Sequence, residues 1–486
     1  MANHSKLEEQ LRTYFNHSQF REGQKEIIQS VLDGRHTLAT LPTGSGKSIT
    51  YQLPALIAEG VTVVVSPLIS LMVDQVKILK SKGIKKVAAI NSLVDEKAKQ
   101  KLLNNLNKYK LIYCSPEMLQ QERVMKRLRQ VNVSYFVVDE AHCISQWGHE
   151  FRTDYMKLHT IFKQLKEPTV LALSATATPQ VQDDIIKHLQ IKMDKIIHPV
   201  DRPNITFSLK KVEGQQHKED SLKDLLHNNH VPTMVYFSSR QVSEEVARKL
   251  QKQFPKRKVA YYHGGMDQDD RLLIQQQFMY DQLDVICCTS AFGMGVDKAN
   301  IRLIVHYHMP SNLESYIQEV GRAGRDGEHS VATLFYQPGD ETIPFQLISQ
   351  ELPDDDELEW FISERLNGNE VEGLSETKER FLKYQLELNS SIQNHHDMIN
   401  ALKRVRDDRL QAKRESILKM LNWLHYSGCR REALYHSFQD GVKNATTYCC
   451  DHCDFNLDNW VFQNQMSDHK ITFYWENRLN AIFNRR

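Results

Sequence analysis

Short apolar runs alternate with amphipathic stretches along residues 36–200, and the whole pattern then starts again. "VTVVVSP", "KLIYCSP", "SYFVVDE" and "TVLALSA" are too short for helices and lack polar alternation, so they read as strands buried on both faces. Stretches such as "ISLMVDQVKILKSKG" between them carry the apolar spacing of helices. Strands and helices alternating in this way predict an α/β fold, a parallel sheet covered by helices. After "HPVDRPNITFSL", whose Pro203 and polar neighbours predict a linker, the runs "TMVYFSS", "KVAYYHG", "LDVICCT", "IRLIVHYH" and "VATLFY" repeat the pattern. Two tandem α/β units are therefore expected, over 1–205 and 206–340. The length of 486 residues agrees, since a single core rarely serves more than about 250–300 residues.

Past about 340 the strand pattern stops. An acidic run, "ELPDDDELEW", leads into residues 376–425, which contain no Gly or Pro and predict long helices. Residues 341–428 form the expected helical connection, and 429–486 a cysteine-bearing unit with a C-terminal tail. Within the connection, "KRVRDDRLQAKRESILK" reads equally as a basic helix laid along duplex DNA or as a solvated charged face.

Charge balance excludes little. Sixty-two basic and sixty-one acidic residues leave the net charge near zero, so any nucleic-acid binding depends on how charges are arranged. No apolar run reaches the roughly 18 residues of a membrane span, and the N-terminal "MANHSKLEEQLRTYF" has no signal pattern. A cytoplasmic location without a membrane partner is expected, at the nucleoid if the source is bacterial.

"LPTGSGKS" (41–48) stands between a strand-like and a helix-like run, the context of a phosphate-binding loop. Leu41 occupies the place of the usual first glycine. The chemical needs are still met by Thr43, Gly44, Ser45, Gly46, Lys47 and Ser48. The two glycines let backbone N–H groups approach phosphate, Lys47 reaches the β and γ phosphates of ATP, and Ser48 ligates magnesium. Asp139 and Glu140 end the run "YFVVD" about 90 residues later. Asp139 is placed to hold the magnesium, directly or through water, and Glu140 to orient or deprotonate the attacking water. "QEVGRAGRDG" (318–327) supplies a completing charge from the second unit. Arg322 and Arg325, three apart on a predicted helix, share one face, with Arg325 favoured as the finger and Arg322 assisting.

"TGSGKS", "SPLISLMVDQ", "SPEML", "DEAH", "SATAT", "VYFSSR", "TSAFGMGVDK" and "QEVGRAGRDG" occur in the order of the superfamily-two helicases. "FNHSQFREGQKEII" and "HCISQWGHEFRTDY" narrow the resemblance to the RecQ family of DNA helicases. The resemblance implies two RecA-like domains with ATP between them, and Phe20, Arg21 and Gln24 clamping the adenine. It also implies that His142 and Gln146 sit at a junction while Trp147, Phe151 and Arg152 face single-stranded DNA. Stacking there is worth about 1–3 kcal/mol per base, enough to report strand occupancy to Glu140. The alternative is that Trp147 and Phe151 pack beneath their loop. Phosphate contacts are implied at Ser66, Ser115, Ser239 and Thr289.

The activity implied is ATP- and magnesium-dependent 3′ to 5′ unwinding of DNA in repair or recombination. Single-stranded and duplex DNA are the implied partners, with a single-strand-binding protein as a further one. A DEAH-type RNA helicase is the competing enzyme reading. A DNA-binding scaffold with a degenerate motor is the competing non-enzyme, and intact Lys47, Asp139, Glu140 and Arg325 speak against it.

"GCRREALYHSFQDGVKNATTYCCDHCDF" places Cys450 and Cys453 at the Cys-x2-Cys spacing of a zinc site, with Cys429 and Cys449 as the remaining candidates. The RecQ zinc module is similar, but Cys449 directly precedes Cys450, where the family leaves a gap. Adjacent ligands are awkward for the backbone, so His436 or His452 are alternatives. With 33 residues after Cys453 in the sequence, the winged helix that many RecQ proteins carry next is not expected here.

Overall fold

The computed structural model describes residues 2–145, 152–293, 297–366, 369, 371–392 and 394–462. The first apolar runs build a seven-stranded sheet: β1 (Thr37–Thr40), β2 (Val61–Val65), β3 (Val87–Ile90), β4 (Leu111–Cys114), β5 (Val133–Val138), β6 (Thr169–Ser174) and β7 (Asp194–Ile197). Their order is β3-β4-β2-β5-β6-β1-β7, and every pairing is parallel. β1, β2 and β4 are buried along their whole length, which explains the absence of polar alternation. β7, at the edge, is mostly exposed and opens with the charged pair Asp194 and Lys195.

The second sheet contains β8 (Ile205–Lys211), β9 (Thr233–Tyr236), β10 (Val259–Tyr262), β11 (Val285–Cys288), β12 (Leu303–His306) and β13 (Ser330–Tyr336). Again all pairings are parallel, in the order β10-β11-β9-β12-β13-β8. β8 corrects the sequence reading, which took this stretch for linker. Pro203 stops two residues short of the strand, and Ile205 and Phe207 are fully buried against β13. The second sheet therefore begins one residue before the expected boundary.

Helices follow: Thr342–Glu351, Asp355–Leu366, Glu376–Leu388 and His395–His425. Leu358, Phe361, Ile362, Phe381, Leu382 and Leu402 give them a small core of their own. The far end of the long helix, with Ile417, Met420, Trp423 and Leu424, joins the core of the second sheet. Three basic residues of its charged stretch pair with the acidic run: Lys403 with Asp355 and Glu359, Arg406 with Asp355, and Lys413 with Glu351. These pairs favour a charged face turned to its own neighbours over one kept free for DNA. Residues 429–462 pack on the β8 edge, where Phe207 N donates to Cys449 O at 3.2 Å and Asp451 N to Phe207 O at 3.0 Å. Among the described residues no helix is long and apolar enough to cross a membrane.

Candidate nucleotide and nucleic-acid site

In a parallel sheet every strand delivers its following loop to the same edge, and ligands bind there. The candidate residues obey this geometry. The phosphate loop follows β1, Asp139 and Glu140 follow β5, and the "SATAT" motif ends β6, the strand between them. Ser66 follows β2 and Ser115 follows β4, on the other half of that sheet. In the second sheet Ser239 and Thr289 lie just beyond the neighbouring strands β9 and β11.

The phosphate loop turns at Gly44 (φ +81°) and Gly46 (φ +77°), conformations that only glycine adopts without strain. A Cβ on Gly46 would meet Gln24 Nε2 at 2.8 Å. Gln24 is buried and spends its amide on this loop, donating to Ser45 O at 2.8 Å and Gly46 O at 3.1 Å and accepting from Arg21 N at 3.0 Å. Arg21 Nη1 donates to Gly44 O at 2.5 Å. The segment expected to clamp adenine thus braces the loop, while Phe20 packs against the core of the first sheet. Ser45 Oγ and Arg325 Nε are buried without a hydrogen-bond partner. A glycine-lined loop with spare donors fits phosphate oxygens.

Lys47 and Ser48 sit in the turn just before the helix Ile49–Ile57. Burial and the neighbouring Glu140 carboxylate push the Asp139 carboxyl well above the usual range, and Lys47 opposes the rise. Two adjoining carboxylates with this strain suit a divalent cation. Glu140 occupies the left-handed region (φ +49°), which turns the chain sharply into the short helical turn Ala141–Ile144. His142 is buried there, its Nδ1 3.1 Å from Ser174 Oγ and 3.5 Å from Glu140 Oε2.

The two sheets meet at this edge. Arg322 and Arg325 do not share a helix face: the helix Leu313–Val320 ends before them, and they occupy the turn that follows. Gly321 and Gly324 account for the early stop, since glycine weakens the helix and Gly324 adopts φ +50°. The turn carries the arginines to different places. Arg325 lies on the phosphate loop, so that a Cβ on Gly44 would stand 2.9 Å from its Cγ, and its Nη1 donates to Asp297 at 2.7 Å. Arg322 donates to Gly293 O inside the second unit. Gln318 crosses the cleft, its Nε2 donating to Thr176 Oγ1 at 3.1 Å. Gln275 does likewise, donating to Asp74 at 2.6 Å.

Gln146, Trp147 and Phe151 lie outside the described residues. Arg152 donates to Pro67 O at 3.0 Å, holding the loop after β2. Ser66 and Ser115 are buried, and Ser115 Oγ accepts from Met118 N as a helix cap, so both side chains face the protein. Ser239 caps the helix Arg240–Gln253, and Thr289 is half-buried.

The four cysteines Cys429, Cys449, Cys450 and Cys453 converge, their sulfurs all within 4.8 Å of one another, and among the described residues no histidine belongs to the group. Cys449 and Cys450 both reach it because the chain turns directly after Cys450, where Cys453 N donates to Cys450 O at 3.0 Å. Arg430 N donates to the Cys450 sulfur at 3.4 Å and Cys449 N to Asp454 at 2.8 Å, the kind of support that orients thiolate ligands. Four thiols at this spacing fit a tetrahedral metal.

Comparison with known proteins agrees. The DEAD/DEAH box helicase family matches residues 21–185, and the helicase conserved C-terminal domain matches 217–327. ATP-dependent DNA helicase RecQ of Bacillus subtilis is 42% identical over 70% of this chain and 58% of its own length. The "Probable ATP-dependent DNA helicase RecS" of the same organism is 38% identical over 99% of this chain and 98% of its own length. The chain belongs to the RecQ family of ATP-dependent DNA helicases. As a RecQ-family enzyme it spans nearly all of RecS but little more than half of RecQ. Solved structures share the fold at low identity. Mycobacterium smegmatis helicase Lhr, bound to ssDNA and AMP-PNP, has a TM-score of 0.59 at 18% identity, over 86% of this chain and 58% of Lhr. Mss116, bound to ssRNA and AMP-PNP, has a TM-score of 0.59 at 17% identity, over 90% and 95%.

Gln318, Thr176 and Arg202 were not singled out from the sequence. Gln318 and Thr176 stand inside quoted motifs, and only their spatial meeting reveals the contact. Arg202 stands in "VDRPN", whose dense polar residues read as linker.

Proposed function

We propose that this RecQ-family helicase hydrolyses ATP at the edge where its sheets meet and uses the resulting closure to move 3′ to 5′ along single-stranded DNA. Duplex separation in repair or recombination is the corresponding role, and polarity and pathway rest on the family resemblance. The observation that carries the reading is the seating of Arg325 of the second unit on Gly44 of the phosphate loop. A charge that arrives only when both units close is what a motor needs to couple hydrolysis to movement.

In this reading the backbone of Thr43–Ser48 and Lys47 hold the phosphates, and Arg325 faces the γ phosphate with Arg322 behind it. Phe20, Arg21 and Gln24 take the adenine, which requires Gln24 to exchange its bonds to the loop. Ser48 and Asp139 hold magnesium, whose chemistry when bound is to neutralise phosphate charge. Glu140 accepts the proton of the attacking water, and His142 relays its position to Ser174. Backbone N–H groups after β2 and β4, with Ser239 and Thr289, track the DNA backbone without reading sequence. Ser66 and Ser115 shape their loops instead of touching the strand. Gln146, Trp147, Phe151 and Arg152 form the aromatic loop that reports occupancy of the strand.

The four cysteines hold one zinc, a structural cross-link in a unit with little core of its own. DNA fixes the place of action, in the cytoplasm and at the nucleoid of a bacterial cell, with a single-strand-binding protein as a further partner. Unwinding of duplexes with 3′ or 5′ single-stranded tails tests the polarity. Activity confined to 3′ tails supports it, and equal or better activity on 5′ tails overturns it.

A further inference from the structure

Arg202 lies in the segment joining the two sheets, between β7 and β8. Its guanidinium bonds to both halves of the cleft. Nη1 donates to Thr43 O of the phosphate loop at 2.8 Å and to Gly321 O at 3.1 Å. Nη2 donates to Gly324 O at 2.6 Å and Ala323 O at 3.2 Å. Three of these carbonyls belong to the turn that carries Arg322 and Arg325. A Cβ on Gly44 would come within 3.1 Å of Arg202 Nη1 as well as 2.9 Å of Arg325 Cγ, so the two arginines lie side by side against one glycine. Like charges that close repel each other, and saturation with carbonyl oxygens compensates.

The segment that carries Arg202 is gripped from behind. Asp201 accepts from Arg431 Nη1 at 2.5 Å and from Lys443 N at 2.9 Å, and Arg431 Nη1 also donates to Arg202 O at 3.0 Å. Gln439 Oε1 accepts from Val200 N at 2.7 Å. Asn204 adds bonds to Gly324 O and Glu328 O, both at 2.8 Å. The cysteine-bearing unit thus fixes the joining segment, and the joining segment holds the arginine turn.

We infer that Arg202 is a positioning residue for ATP hydrolysis, seating the arginine turn of the second unit on the phosphate loop. The inference rests on the reading of this cleft as the ATP site. Apart from Asn204 Oδ1 at 3.4 Å, Arg202 binds backbone carbonyls, so its loss leaves Lys47 and the loop able to bind nucleotide while Arg325 loses its fixed approach. Such a defect falls on kcat and spares binding. Lysine is no substitute, because one ammonium cannot span carbonyls on both sides of the cleft as a planar fork does.

The test compares R202K and R202A with the parent chain by DNA-saturated ATP hydrolysis, binding of a fluorescent ATP analogue, zinc content and thermal melting. The expected result for R202K is a fall in kcat of about tenfold or more with analogue affinity within about threefold of the parent. Zinc content and melting stay at parental values, and added guanidinium ion restores part of the R202A rate. R202K retaining kcat within about twofold overturns the inference, as does a fall in kcat matched by an equal loss of nucleotide affinity. A parent chain without DNA-stimulated hydrolysis would instead overturn the reading of the cleft. Should R202A fail to fold, R202K decides alone.

Discussion

Gln318, on the helix Leu313–Val320 of the second unit, and Thr176, in the loop after β6 of the first, share a hydrogen bond of 3.1 Å, Nε2 to Oγ1. Thr176 N in turn donates to Ser174 Oγ at 3.3 Å, and Ser174 Oγ holds His142 at 3.1 Å. The second unit is therefore connected through Thr176, Ser174 and His142 to the turn that begins at Glu140. Replacing Gln318 with alanine removes one such bond, worth about 1 kcal/mol, or about fivefold in rate if it forms with closure. Steady-state hydrolysis should show kcat reduced to that degree with KM for ATP unchanged, and an unchanged kcat would show that the contact plays no part in closure.

Arg431 and Asp201 are both essentially inaccessible to solvent. Breaking a buried pair by removing one partner costs about 3–5 kcal/mol, because the other charge is left without compensation. R431A is expected to lose that much stability in urea unfolding, and D201A/R431A to recover part of it. A loss below about 1 kcal/mol would place the pair among exposed ones, which contribute little.

Chelation addresses the cysteines. The pure protein should release one zinc per chain, and its melting temperature should fall as the thiolates lose their shared ligand. C453S should bind zinc more weakly at unchanged ionic strength. Metal analysis that finds no stoichiometric zinc before or after chelation contradicts the site.

W147A addresses the aromatic loop. The basal rate of hydrolysis should remain, while stimulation by single-stranded DNA falls steeply, because a base can no longer stack there. Full stimulation in W147A would mean that the ring packs beneath its loop.

The strands were readable because both faces of a parallel sheet are buried, which leaves an unbroken apolar signature in runs such as "VTVVV" and "YFVVD". The phosphate loop and Asp139 were readable because their chemistry demands particular residues at particular strand ends. β8 was hidden by Pro203, although a proline two residues before a strand does not interrupt its hydrogen bonds. The helix expected to carry Arg322 and Arg325 stops at Val320, because Gly321 and Gly324 end it before either arginine. Arg202, Asp201 and Arg431 escaped for a different reason. Arg431 meets Asp201 across 230 residues of chain, and no local periodicity records a contact of that kind.

Steady-state ATP hydrolysis by the pure protein, alone, with single-stranded DNA and with single-stranded RNA of the same sequence, tests the account of the cleft most directly. Strong stimulation by DNA, little by RNA and none in K47A is the expected result. Stimulation mainly by RNA, or hydrolysis that ignores nucleic acid altogether, would contradict it.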